Sequence, residues 1–399
     1  MSDRTQHRAY NNSSVEKKHF DHLALGYNKA AKILLIVMAA VFLITLFFNS
    51  KLLTYNNFSY LARDISSAAN IASGNYSSIS YKNDEMRVTK GFRGGVVTVS
   101  STDLTIYNAT GRKTLTANEN LVSPNLAVSK KYAIVFELGG YNYRVYNSFA
   151  RVSGGSFQYP ISGAAVSDSG WFAIVTKDNE HNAVVYLYDD DCTLRNTYSF
   201  ATKYVFAVAI NEKGSRIAIV LTESNGDKFA TTLMICEPGK SDKRSEITFS
   251  GGLPYGCIFT EDGNIQVVCS DGMYLFDPNS GAIINDYPFV NSNISRISMT
   301  NDGIAVTVSG QLGVASNVIF IFDKNGNIIY NIMIDGGIID MEYKSQYLFI
   351  NHSTSIERIN IKNNERKSSK ITEEGADIII YDSGNILVCC PTKAIYIKI

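Results

Sequence analysis

"TEDGNIQVVCSDGMYLFDPNSG", residues 260–281, holds an acidic turn (Glu261-Asp262-Gly263-Asn264), a short apolar run, and an aromatic-aspartate pair (Phe276-Asp277) that opens a second turn. It reads either as a cation-binding loop or as one copy of a repeated unit. The frame recurs: "AAVSDSGWFAIVT" (164–176), "VAINEKGSRIAIVL" (208–221), "ISMTNDGIAVTVS" (297–309) and "IIIYDSGNILVCC" (378–390) each give a small or apolar strand, a polar turn and a second apolar strand. Weaker copies begin at 94, 126 and 341.

The residues that follow each third strand mark the period: Asn108, Asn147, Asp189, Glu237, Asp277, Asp323, Asn360 and Lys398. Seven intervals span 290 residues, an average of about 41, which matches a four-stranded propeller blade. One such sheet cannot bury both of its faces, so neighbours must stack around a common axis. Hairpin turns without intervening helices exclude a parallel α/β fold. The expected fold is all-β, an eight-bladed β-propeller, with seven blades as the alternative count because the first and seventh copies are weak.

Closure adds an expectation. The eighth copy ends at Ile399 with its third strand. "YSSISYKND" (76–84), with Ile79 and Tyr81 on one face, is the spare strand that completes the last blade and removes an open edge.

The opening turns then have a conformational explanation. "NATG", "DDDCT", "DPNSG" and "DKNG" occupy one position in different blades, the link from third to fourth strand. Asp and Asn side chains bond the backbone of such turns, and Gly supplies positive φ. A calcium loop starting at Asp323 fails on spacing, since Ile334 stands where the twelfth-position Glu would be.

The chain has 399 residues, 45% of them hydrophobic, and a net charge of zero. That fills a substantial core and gives no overall field for nucleic acid. One stretch stands apart. From Ile33 to Phe48 no residue is charged, and with Ala30, Ala31 and a snorkelling Lys32 the run approaches the roughly 20 residues that a bilayer requires. Thirty-two residues precede the run and no small-x-small cleavage site follows it, so it reads as an uncleaved signal anchor. Lys17, Lys18, Lys29 and Lys32 before it outnumber Lys51 and Arg63 after it. That bias leaves the N-terminus in the cytoplasm and the remainder outside. The expected layout is a cytoplasmic tail (1–29), a transmembrane helix (30–48), a stem with a short helix (49–75) and an extracytoplasmic propeller (76–399).

No catalytic constellation is visible. His7, His19, His22, His181 and His352 are isolated, and HExxH, GxSxG and phosphate-cradling glycine loops are missing. No catalytic, cofactor-binding or metal-ligating residue is assigned, and no cofactor is expected. The six cysteines fit no zinc spacing. Cys257 and Cys269 would face each other across the first hairpin of the fifth blade, either bridged or free and buried. Cys389 and Cys390 point to opposite faces of one strand.

Residues 164–176 and 208–221 carry a likeness to single-pass, membrane-anchored propellers of clostridia-like bacteria, with WD40-like and quinoprotein-like repeats. The resemblance implies architecture and topology and brings no activity or site residues. The expected function is an extracytoplasmic interaction or scaffold module that binds a protein or envelope component. A small-ligand or glycan receptor using the central funnel is the alternative, and a quinoprotein-like or hydrolytic enzyme a third. No nucleic-acid partner is expected.

Overall fold

Hydrophobicity along each repeat falls from the second strand to the fourth, and the fold explains the gradient. A computed structural model describes residues 29–41, 43–44, 62, 65–66, 69, 73, 76–81, 87–226, 228–239, 244–249, 251–290, 293–309, 316–371, 373–375 and 377–399. Its strands, numbered β1 to β32 in chain order, form eight four-stranded antiparallel sheets. The propeller has eight blades. Second strands such as β3 (Gly95–Val99), β11 (Phe172–Thr176) and β19 (Ile265–Cys269) are buried at every residue, because a neighbouring blade covers each face. Outer strands such as β13 (Leu194–Phe200) and β21 (Ile283–Pro288) alternate exposed and half-buried residues, as blades diverge away from the axis.

The core follows the same logic. Each of eight apolar clusters lies between two adjacent blades. Val97 and Leu104 of the first blade meet Leu126 and Val135 of the second, for example. A single blade therefore has no complete core. Polar pegs add to these interfaces: fully buried Gln266 reaches from the fifth blade to the Asp323 carbonyl of the sixth at 2.6 Å.

The ring closes as the sequence suggests. In the last sheet β1 (Ile79–Ser80) adds to β32 (Lys393–Lys398), pairing Ile79 with Ala394 and Ser80 with Lys393. Ile79 is buried with Tyr107 of the first blade and Leu387 of the eighth, and Tyr81 packs beside it. Residues 82–84 of the expected strand lie outside the described residues.

The chain divides into two units, Met1–Arg63 and Asp64–Ile399. The first contains a helix over 29–41, with 43 and 44 also helical. Among the described residues no helix is long and apolar enough to cross a membrane. The described helix is thus shorter than the span expected over 30–48, of which residues 42 and 45–48 lie outside the described set. In the expected stem only Ala62, Ile65, Ser66, Ala69 and Ser73 are described. The first four are helical, and the Ser73 N–H donates to the Ala69 carbonyl at 2.9 Å.

One pairing is corrected. Cys257 lies opposite Val267 and Cys269 opposite Pro254, so the two thiols do not face each other, and all six cysteines are free. The hairpin turn sets the offset: it pairs Phe259 with Ile265 and so brings Cys257 to Val267, two residues short of Cys269. Cys389 and Cys390 do enter different interfaces, between blades eight and one and blades seven and eight respectively.

Candidate functional site: the central channel

The first strand of each blade lines the axis: β2 (Val88–Phe92), β6 (Pro124–Val128), β10 (Gly163–Val166), β14 (Tyr204–Ile210), β18 (Pro254–Phe259), β22 (Asn293–Thr300), β26 (Asp340–Lys344) and β30 (Asp377–Ile380). None has a sheet neighbour on its axial side, so its exposed side chains face the channel. Small residues set the wall. A Cβ on Gly256 would stand 2.8 Å from Met299 Sδ, so glycine there lets β18 and β22 approach.

At the end where first strands turn into second strands, a cavity of about 870 Å³ is walled by Val128, Val166, Ile210 and Ile258. Its rim is charged, and the charges pair between blades. Lys130 Nζ lies 2.7 Å from Glu212 and 3.1 Å from Asp168. The bond to Glu212, then that to Asp168, raises the lysine above its usual range. The Asp168 carboxylate also accepts the Lys130 N–H at 2.7 Å. The "S-D-x-G" turn is thus a blade-to-blade stitch.

From the starts of the first strands inward, blades six to eight and one contribute a different set. Alternate residues of β26 share a face. Met341 and Tyr343 are buried against blade six, which leaves Asp340 and Glu342 on the opposite side. The Ser298 hydroxyl donates to Glu342 at 3.1 Å and accepts the Tyr343 N–H at 3.0 Å. Asp340 accepts the Ile378 N–H at 2.8 Å. Burial pushes Glu342 up to about 7, against the Ser298 bond and with help from the Asp340 charge. Burial likewise raises Asp340, opposed by the Ile378 bond and reinforced by Asp377. Lys90 on β2 faces both carboxylates and favours their charged forms.

At the other mouth, where first strands begin, three consecutive blades carry the same deformation. The register of β14 skips Phe206, that of β18 skips Tyr255 and that of β22 skips Ser295. A bulge leaves one residue unpaired and redirects its side chain. Phe206 is 46% exposed and Tyr255 49%.

The residues considered from sequence lie elsewhere. The marker Asp and Asn side chains accept N–H groups of their own turns. Asp323 Oδ1 takes those of Asn325 and Asn327 at 2.9 and 2.8 Å, Asp189 those of Asp191 and Thr193, and Asp277 that of Asn279. His181 bonds Asp178, and His352 bonds the Gly337 carbonyl; neither lines the channel cavity. Among the described residues no group of three His, Cys, Asp or Glu is placed to hold a metal ion.

Solved structures with this architecture are distant in sequence. BamB from Moraxella catarrhalis is 10% identical, with a TM-score of 0.53 over 82% of this chain and 99% of that one. The computationally designed Ika8 protein is 10% identical, with a TM-score of 0.58 over 81% and 100%. Chaetomium thermophilum Sqt1, bound to the N-terminus of the ribosomal protein L10, is 11% identical, with a TM-score of 0.56 over 82% and 100%. At these identities the likeness shows the fold alone. No curated protein matches the chain. The model of one family covers residues 72–399, all eight blades, and the chain belongs to it: the family of unknown function DUF5711.

Proposed function

We propose that this chain is a protein-interaction module, held at the membrane by the apolar helix of residues 30–48 with its propeller (76–399) outside the cytoplasm. The observation that carries the binding role is the pair of half-exposed rings, Phe206 and Tyr255, presented by neighbouring blades at one channel mouth. Neighbouring exposed apolar rings form the kind of patch that marks interaction sites, where tyrosine is enriched among the residues that carry binding energy. The solved structure of Sqt1 with the N-terminus of L10 supports the reading, as an instance of this fold holding a protein segment.

Membrane attachment is supported by the helix itself. Ile33, Leu34, Leu35, Ile36, Val37 and Met38 are each more than half exposed. Six successive apolar residues cover every face of a helix, and a helix apolar all round belongs in lipid or in a core. The excess of lysines on its N-terminal side supports an outward propeller.

Two measurements test the proposal. Protease added to intact cells is expected to degrade the propeller while sparing the N-terminal tail; protection of the propeller would refute the orientation. Crosslinking in membranes, followed by purification of the full chain, is expected to recover one protein in stoichiometric amount. Recovery of a glycan instead would favour the receptor reading, which the same two rings support as stacking platforms.

A further inference from the structure

We infer that the channel mouth at the starts of the first strands is a docking site for an extended protein segment carrying lysine or arginine beside apolar residues. This rests on the protein-binding role above and names its place and chemistry.

The bulges provide the first argument. Phe206 and Tyr255 stand four residues, and Ser295 five, before the last paired residue of their strands, Ile210, Phe259 and Thr300. The same local deformation in three consecutive blades shapes one sector of the mouth. In two of them the redirected residue is a large ring, and Tyr204, two positions before Phe206, is also 54% exposed. Burying these rings in the blade interfaces would have stabilised the fold. Their exposure leaves an apolar platform with room for a partner's apolar side chains.

Charge provides the second argument. Asp340 and Asp377 begin β26 and β30 at the same mouth, and the Asp377 charge disfavours ionisation of Asp340. Glu342 stands behind them. Among the cations nearby, Arg296 is directed to the backbone carbonyls of Ser295 and Ile339, and Lys344 to that of Ile380. Lys90 acts on Asp340 as a counter-charge, and Lys90 and Lys344 both act on Glu342. At the strand starts themselves, Asp340 and Asp377 against Lys90 leave the sector acidic in a chain whose net charge is zero. An ammonium or guanidinium group from a partner relieves that repulsion. A neutral glycan would use the rings but leave the carboxylates unanswered, which favours a basic peptide.

The test uses the purified full-length chain in detergent and two fluorescent decapeptides, one alternating lysine and leucine, the other glutamate and leucine, with a chitin oligosaccharide as a third probe. The lysine peptide is expected to bind at least tenfold more tightly than the other two. Phe206→Ala with Tyr255→Ala, and separately Asp340→Asn with Asp377→Asn, should each weaken it at least tenfold with an unchanged circular dichroism spectrum. Equal binding of the two peptides, preference for the oligosaccharide, or indifference to both double variants would overturn the assignment. A photo-crosslinking residue in place of Phe206, with one in place of Ile329 on an outer strand as control, separates the two levels in cells. A protein adduct from position 206 that disappears in the Asp340→Asn, Asp377→Asn background supports the site. An adduct from position 329 only would refute it while sparing the interaction role, and no adduct from either would refute both.

Discussion

The Tyr76 hydroxyl donates to Asp382 Oδ2 at 2.7 Å, joining residues 306 positions apart. The same ring stacks on Tyr381 and Tyr396 at centroid distances of 4.9 and 5.2 Å. Just beyond it, Ile79 is 1% exposed between the last blade and the first. The two-residue β1 is therefore held less by its ladder than by side chains on both sides of it. Ile79→Ala should cost about 2–4 kcal/mol by leaving a cavity. Tyr76→Ala should cost about 2 kcal/mol through loss of the stacks and the bond. Urea midpoints measure both. An unshifted midpoint for the double variant would mean that the ring does not depend on this clasp.

Acid should loosen the clasp. Burial pushes Asp382 upward, but bonds from the Gly384 N–H, the Tyr76 hydroxyl and Asn385 outweigh it and hold the carboxyl below its usual range. A depressed folded-state pKa contributes stability above the unfolded value, near 3.9, and loses it as pH falls toward the folded one. Tyr76→Phe removes one of those bonds. Wild type and variant should therefore differ most at neutral pH, and their midpoints should converge as pH drops below about 4. A gap that stays constant down to the acid transition would contradict this.

The repeat was legible because its marker residues perform a local task. Asp189, Asp277 and Asp323 bond their own turns, so the period survives even where strand sequences diverge. The closing strand was legible from an unfilled place in the last blade. The bulges were not. "YVFAVAI" and "PYGCIF" contain nothing that says Phe206 and Tyr255 are skipped, since register is a property of two strands. The Cys257–Cys269 misreading has the same origin. Glu342 was hidden for a related reason: "DMEYK" reads as plain alternation, and its burial depends on Ser298 in another blade.

Gly214 tests the packing of the sole tryptophan. Its φ is +69°, and a Cβ there would lie 2.3 Å from Trp171 Cδ1 and 2.9 Å from Ser169 Oγ. Gly214→Ala combines an unfavourable backbone conformation with a displaced indole, at a cost of about 2–3 kcal/mol. The displaced ring should emit at longer wavelength in the folded state. Unchanged emission together with an unchanged midpoint would show that the turn has slack that the geometry denies.

The cysteines should be silent. Burial pushes the Cys257 thiol up to about 12, and raises Cys269 and Cys389 as well. Thiolates are the reactive form, so at pH 8 a thiol reagent should label the buried Cys269 and Cys389 only on unfolding. A reductant should leave the melting temperature unmoved. A bridge between Cys257 and Cys269 would instead show as two missing thiols and a reductant-sensitive midpoint.

Glu342 should give the channel a pH dependence opposite in sign to that of the clasp. Its carboxyl is raised from 4.5 to about 7, chiefly by burial. The folded state therefore binds a proton more readily than the unfolded chain between those values. Stability falls as pH rises through that window, by about 1.4 kcal/mol per unit and roughly 3 kcal/mol as a ceiling. The groups facing Glu342 bear on the slope: Lys90 and Lys344 reduce the shift, and Asp340 adds to it. Glu342→Gln keeps an acceptor for the Ser298 hydroxyl and removes the titration. The variant should lie within about 1 kcal/mol of wild type at pH 5 and exceed it by more at pH 8, with a residual slope from Asp340, itself raised by burial. Urea midpoints at pH 5, 6, 7 and 8 decide the matter. The Asp382 effect begins only below about pH 4, so the two windows do not overlap. Parallel curves for variant and wild type across the upper window would place Glu342 in water and remove it from the buried wall of the channel.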